Sequence, residues 1–327
     1  MMKFLRLDGF ILAMILAVIA GLLLPEWGAK GGGLHLDIIT AIGIGLVFFL
    51  HGANLSPAAV RAGAANWRLH VFVHAATFVL FPAIGFAVFF TTGGILPEAV
   101  RLGFFFLCAL PSTITTSVAM TAMGRGNVAG AIFDATLSGL IGMVLTPVLV
   151  SLVVSASSGH LPLGPAILDV MTRLLLPFAA GQVLRPLIGR FLARHKPLIA
   201  KADRTVVVLI VYAAFSESTL AGLWTQYDPL LIGAIVLMTS ALLGLVLCLT
   251  VLAARQLRFS HEDEVAAVFC GSKKSLANGA PIAAVLFAGH PGMGMLMLPI
   301  MIYHQLQLVV CTFMARRYAE KAAHLRQ

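Results

Sequence analysis

The sequence predicts an all-α polytopic membrane protein with ten transmembrane helices, arranged as two inverted five-helix repeats in which helices four and nine are discontinuous and cross. Three observations predict it. Of 327 residues, 60% are hydrophobic and 11% charged, with a mean hydropathy of +0.98; a soluble core of this size cannot hide that much apolar surface. The apolar residues gather into ten stretches near the roughly 20 residues that span a bilayer. Two polar breaks also occupy the same place, the fourth helix, in each half of the chain.

The stretches run approximately over 8–25, 37–54, 69–90, 101–123, 128–155, 165–187, 204–221, 229–254, 264–287 and 291–315. Helix one follows Lys3 and Arg6 and ends in Leu24-Pro-Glu-Trp27. That end lacks a small-residue cleavage pattern, so it reads as a span and not a removed signal. Helix two follows Gly31-Gly-Gly33 and His35 and ends at His51-Gly-Ala-Asn-Leu-Ser-Pro57. Helix three carries His74 and Thr77. Helix four is broken at Leu110-Pro-Ser-Thr-Ile-Thr-Thr-Ser117, and the hairpin Gly124-Arg-Gly-Asn127 leads into helix five. This completes a first repeat over 1–155, with 156–327 the second. Glu217 closes helix seven. Helix nine is broken by Phe269-Cys-Gly-Ser-Lys-Lys-Ser-Leu-Ala-Asn-Gly-Ala-Pro281, and Ala288-Gly-His-Pro291 turns into helix ten, which carries Tyr303, His304, Gln305 and Gln307. Pro25, Pro57, Pro97, Pro162, Pro165 and Pro229 punctuate loops, where a missing amide donor does least harm. Five is odd, so the second repeat enters with inverted orientation, the pattern of many secondary transporters.

Lys and Arg collect on the cytoplasmic side of membrane proteins. With the N-terminus inside, Lys3, Arg6, Arg61, Arg68, Arg125, Arg185, Arg190, Arg194, Lys196, Lys201, Arg204, Arg255, Arg258, Arg316, Arg317, Lys321 and Arg326 all fall on that side, against Lys30, Arg101 and Arg173 outside. Both termini are then cytoplasmic, in a bacterial inner membrane. The net charge of +9 and pI near 9.8 read as topology and contact with anionic lipid, and no nucleic-acid partner is implied. Cys108, Cys248, Cys270 and Cys311 all sit in apolar spans, which excludes an extracellular disulfide framework.

A broken helix exposes unpaired carbonyls, amides and half-helix termini. Hydroxyl and carbonyl oxygens suit a hard cation, so Ser112, Thr113, Thr115, Thr116 and Ser117 are candidates to bind sodium. Asp134, Thr136 and Ser138 in the next helix are candidates to line the same site. In helix nine Ser272, Lys273, Lys274, Ser275 and Asn278 fill the break. A charge at bilayer depth costs at least about 2.5–3.5 kcal/mol and marks a cavity, a partner or an ion path. Lys273 and Lys274 suit a carboxylate or sulfate, or neutralise Asp134. His304 and Gln305 are candidates to line the cavity. No cofactor beyond sodium is implied. An intramembrane enzyme using Ser272 or Ser275 with a lysine base is disfavoured, because adjacent helical residues point about 100° apart.

At these residues the chain resembles the bile acid:sodium symporter family, in the sodium-dependent transporter branch related to the vertebrate solute carrier ten member seven. The resemblance covers almost the whole chain. Phe49-Leu-His-Gly-Ala-Asn-Leu-Ser56 and Gly124-Arg-Gly-Asn-Val128 carry it more loosely; Phe269-Cys-Gly-Ser-Lys-Lys-Ser-Leu276 with Pro281, and Phe287-Ala-Gly-His290 followed by Pro299-Ile-Met-Ile-Tyr-His304, carry it specifically. It implies a panel domain and a core domain drawn from both repeats, and two sodium sites beside the crossing helices. Thr116 and Ser117 match the family's helix-four sodium ligands, and Thr77 matches a helix-three residue of the second site. Where the bile acid transporters have an acidic ligand and a glutamine, this chain has Phe269 and Lys273, a fixed ammonium that replaces the ion electrostatically. The expected function is secondary active transport of an amphipathic organic anion, bile acid or sterol-conjugate-like, sodium-coupled through a reduced or altered site. Proton-coupled or uncoupled carriage, and a membrane regulator that no longer transports, stand as alternatives.

Overall fold

The computed structural model describes residues 9–54, 65–158, 168–169, 171–226 and 228–324. Sequence features at Lys3, Arg6, Leu55, Ser56, Pro57, Arg61, Pro162, Pro165 and Arg326 lie outside the described residues. Every regular element among the described residues is helical. In chain order the longer ones are α1 (Gly9–Leu23), α2 (Leu36–Asn54), α3 (Trp67–Thr91), α4a (Glu98–Ala109), α4b (Ile114–Met123), α5 (Val128–Ser158), α6 (Leu176–Arg194), α7 (Lys196–Leu220), α8 (Pro229–Gln256), α9a (His261–Ser272), α9b (Leu276–Leu286) and α10 (Met293–His324).

Each predicted stretch overlaps one helix or one broken pair. By length and composition α2, α3, α5, α8 and α10 are able to cross a membrane, and α4a with α4b, bent by 57°, makes a sixth span. The others fall short for visible reasons. α1 has 15 residues, Arg185, Arg190 and Arg194 punctuate α6, Lys201, Asp203 and Arg204 punctuate α7, and helix nine is divided into pieces of 12 and 11 residues. The chain is an integral membrane protein.

The fold separates into two compact units, neither continuous in sequence. The first takes its described residues from Met1–Leu55, Asp169–Leu231 and Ala280–Met297. Its tightest contact is between α2 and α6, where glycine lets backbone meet backbone. A Cβ built on Gly52 would lie 2.0 Å from the Phe178 carbonyl oxygen, and one on Gly181 would lie 2.0 Å from that of Phe49, so only glycine fits either place. His51 Nε2 approaches Asp203 Oδ1 at 3.5 Å. This unit also holds a cavity of about 320 Å³ with an apolar wall and four charged side chains, Lys30, Asp37, Arg173 and Glu217.

The second unit takes its residues from Ser56–Leu168, Ile232–Gly279 and Leu298–Gln327. Its centre packs Leu69 and Val73 of α3, Ala131 of α5, Ala254 of α8 and Ala266, Ala267 and Cys270 of α9a. Small residues dominate because helices in lipid gain from close van der Waals approach, not from a hydrophobic difference with the solvent. At one end Asp263 joins three elements: its Oδ2 accepts Asn66 Nδ2 at 2.8 Å and its Oδ1 accepts Asn127 Nδ2 at 2.9 Å. The Asn127 amide donates to Glu262 O at 2.8 Å. Arg125 adopts a left-handed φ of 58° in the hairpin between α4b and α5.

Candidate functional site

Two prolines and two breaks decide which carbonyls are left over. In α3, residues Ala76–Leu80 form a π turn in which the Phe81 amide reaches back five residues to Ala76 O. The next amide in that register belongs to Pro82, which has no N–H, so Thr77 O loses its partner. Pro111 holds the residue before it extended, with Leu110 at φ −69° and ψ 152°. α4a therefore stops and its terminal carbonyls go unpaired. The Ser112 amide, which a continuous helix would give to Cys108 O, is accepted by Ser138 Oγ at 2.9 Å.

Lys274 takes these orphaned oxygens. Its Nζ donates to Thr77 O at 3.0 Å, Cys108 O at 2.8 Å and Leu110 O at 2.6 Å, and stands 4.0 Å from the centre of the Phe81 ring. The residue is fully buried. Charge-assisted hydrogen bonds contribute about 1.5–3 kcal/mol each and a desolvated cation over an aromatic face about 2 kcal/mol. Together they exceed the few kcal/mol that a charge costs inside an apolar membrane span. Lys273 is also fully buried, with one bond from Nζ to Thr116 O at 3.0 Å and the Phe269 ring centre at 5.9 Å.

The second break has no proline at its centre; it is held open by side chains and by the first break. The Lys274 amide donates to Gln307 Oε1 at 2.9 Å and Gln307 Nε2 donates to Lys274 O at 2.8 Å. Tyr303 OH donates to Ser272 O at 2.6 Å, and the Ser275 amide donates to Pro111 O at 3.0 Å. Carbonyls freed at the end of α9a are met by hydroxyls of the first break and of α4b: Ser112 Oγ donates to Cys270 O at 2.7 Å and Ser117 Oγ to Phe269 O at 3.2 Å. The two breaks thus satisfy each other's main chain.

The remaining predicted residues distribute around this junction. Thr113 is buried at the start of α4b and accepts Thr116 Oγ1 at 3.4 Å, whereas Thr115 faces outward. Thr77 Oγ1 donates to Val73 O at 2.8 Å. Ser272 Oγ donates to Val268 O at 2.6 Å, and Ser275 Oγ accepts the Asn278 amide at 3.1 Å, so neither serine is paired with a lysine amine. His304 Nδ1 lies 3.0 Å from Gln307 Nε2. Thr136 and Gln305 are half-buried on α5 and α10.

One expectation is corrected. Neither lysine neutralises Asp134, because both ammonium groups are engaged by main-chain carbonyls. Asp134 Oδ1 instead lies 2.8 Å from His70 Nδ1 and 3.6 Å from His74 Nε2. The sequence reading singled out His74 and missed His70, although spacing four apart on α3 places both on one face. It also centred on Lys273, while the fuller carbonyl shell belongs to Lys274. Among the described residues no group of His, Cys, Asp and Glu is arranged to hold a metal.

Comparison with known proteins adds a family match and three relatives. The model of the SBF-like CPA transporter family matches residues 8–320. The chain is 44% identical over 314 residues to protein PA2026 of Pseudomonas aeruginosa, covering 96% of this chain and 93% of that one. It is 42% identical over 328 residues to YfeH of Escherichia coli K12, named as a candidate symporter, covering 99% and 97%. It is 29% identical over 309 residues to sodium/bile acid cotransporter 7 of Danio rerio, covering 93% and 91%.

Proposed function

The chain belongs to the SBF-like CPA transporter family, and on that premise we propose that it is a secondary active transporter of an amphipathic organic anion, with its own lysine ammonium groups in place of a bound sodium ion. The observation that carries this reading is the Lys274 Nζ with three main-chain oxygens at 2.6–3.0 Å. Carbonyl oxygens of broken helices are the groups that would hold a small monovalent cation. Here an ammonium group already takes them, while the Ser112 and Ser117 hydroxyls donate to carbonyls of α9a. Thr116 offers its main-chain oxygen to Lys273. Sodium coupling through Thr116 and Ser117 is correspondingly weakened or lost.

The bile acid substrate enters by way of the vertebrate relatives' name, and the apolar wall with Lys30 and Arg173 in the first unit is compatible with an anion carrying an apolar body. We read the first unit as the panel and the second as the core. The ten helical stretches are ten spans in two inverted repeats, over 1–155 and 156–327, with both termini in the cytoplasm and the protein in a bacterial inner membrane.

The test is thermal unfolding of the purified protein in sodium, potassium and choline at one ionic strength, for the native chain and Lys274→Ala. A site saturated 100-fold adds about 2.7 kcal/mol. The native chain should show no sodium-specific stabilisation, and Lys274→Ala should acquire one because the vacated carbonyls accept the ion. Sodium-specific stabilisation of the native chain would overturn the replacement and restore a sodium symporter.

A further inference from the structure

The second unit contains a buried acid and two imidazoles that the lysine junction does not use. Asp134 on α5 is fully buried, its Oδ1 lies 2.8 Å from His70 Nδ1 and 3.6 Å from His74 Nε2, and its Oδ2 has no hydrogen-bond partner. The ring nitrogens of His74 are buried and make no hydrogen bond, although the side chain keeps 17% of its exposure. A cluster built only to stabilise the fold would satisfy these atoms, because an unpaired buried polar group costs about 1–3 kcal/mol. We propose that Asp134, His70 and His74 form a proton-binding site that couples transport to the proton gradient; it deepens the transporter reading above and, as a coupling site, rests on it.

The chemistry favours a proton over the alternatives. Sodium prefers several oxygens, and this cluster offers one carboxylate and two nitrogens. A transition metal needs ligands converging on one point, and the described residues include no such group. A proton needs only a donor and acceptor pair that shifts between two states, and imidazole is the side chain that does so near neutral pH. Buried Asp and His chains in membrane helices serve as proton relays elsewhere. Proton uptake places the added hydrogen on a ring nitrogen or on Asp134 Oδ2, and release returns it to the partly exposed His74. The other titratable groups facing the cluster come from α9a. Cys270 lies within electrostatic reach of both Asp134 and Lys273, and Asp263 has both oxygens held by Asn66 and Asn127. The cluster is thus one side chain away from the lysine junction, which gives a protonation change a short route to α9a.

The experiment uses the full chain in proteoliposomes with two readouts. The first is infrared difference spectroscopy on stepping from about pH 8 to about pH 4, a range that takes in both imidazole and carboxyl titration. The native chain should show carboxyl or imidazole bands that Asp134→Asn and His74→Gln lack. His74 makes no hydrogen bond, so its replacement leaves the fold in place if the asparagine variant does not. The second readout is radiolabelled taurocholate. The native chain should accumulate it with the outside acidic and exchange it at equal pH, whereas Asp134→Asn should exchange but not accumulate. Bands that persist in both variants, or accumulation by Asp134→Asn equal to the native chain, would overturn the proposal. If the native chain neither exchanges nor accumulates taurocholate, the anion-carrier reading fails while the infrared result decides the proton site independently.

Discussion

A lysine buried at Lys274 is stable only while its ammonium keeps three carbonyl partners, and those partners exist only because Pro82 and Pro111 took amides away from the helices. The position of the side chain depends in turn on Gln307, whose Oε1 and Nε2 bracket the Lys274 amide and carbonyl. Replacing Gln307 with Leu strands two buried main-chain groups, each costing about 1–3 kcal/mol. We expect Gln307→Leu to lose about 2–6 kcal/mol in chemical or thermal unfolding, with Gln307→Glu, which keeps the acceptor and loses the donor, in between. Equal stability of both variants would show that the α9 break stands without this clamp. At this scale the sequence exposed the two lysines, since adjacent charges in an apolar span demand partners. It did not distinguish them, because which ammonium meets which carbonyl is set by the extended backbone at Lys273, φ −93° and ψ 145°. His70 went unread although its spacing of four from His74 was legible; what the sequence could not show is that both face Asp134 on α5.

At the scale of elements, both breaks were legible as polar runs in apolar stretches, and the structure divides helices four and nine at those places. The physical causes differ. Pro111 breaks the first helix from within, whereas the second is opened by Gln307, Tyr303 and the Pro111 carbonyl, all distant in sequence, so its boundaries lay beyond any local rule. Close approach of helices was also hidden, because a glycine in an apolar span does not say what stands opposite it. Gly52 and Gly181 meet carbonyl oxygens across the α2 and α6 contact, while Gly233 on α8 has open space around its Cα. Overpacking costs about 1–3 kcal/mol, and more where backbone must move. Gly52→Ala should therefore lower stability by about 3 kcal/mol, measured by thermal unfolding in detergent. Gly233→Ala should be neutral or slightly stabilising, since Gly costs a helix roughly 0.8–1 kcal/mol relative to Ala. A similar loss in both variants would assign the effect to helix geometry and not to the contact.

For the whole molecule, each of the ten apolar stretches overlaps a long helix or a broken pair, and six of them are long and apolar enough to cross a bilayer, whose thickness is imposed on local sequence. The grouping of those stretches into two discontinuous units depends on contacts between distant segments, and no periodicity encodes them. Topology lies between these cases. The basic residues provide a one-sided bias that a sequence can carry, and an even number of spans returns the chain to the side on which it began. If α1, α6, α7 and the two pieces of helix nine cross the membrane together with the six clearer spans, a C-terminal green fluorescent protein fusion should fluoresce, and a C-terminal alkaline phosphatase fusion should be inactive. Alkaline phosphatase fused after Pro97, between α3 and α4a, should be active, since that loop is then periplasmic. An active C-terminal phosphatase would mean an odd number of crossings. It would remove the inverted symmetry proposed for the two halves.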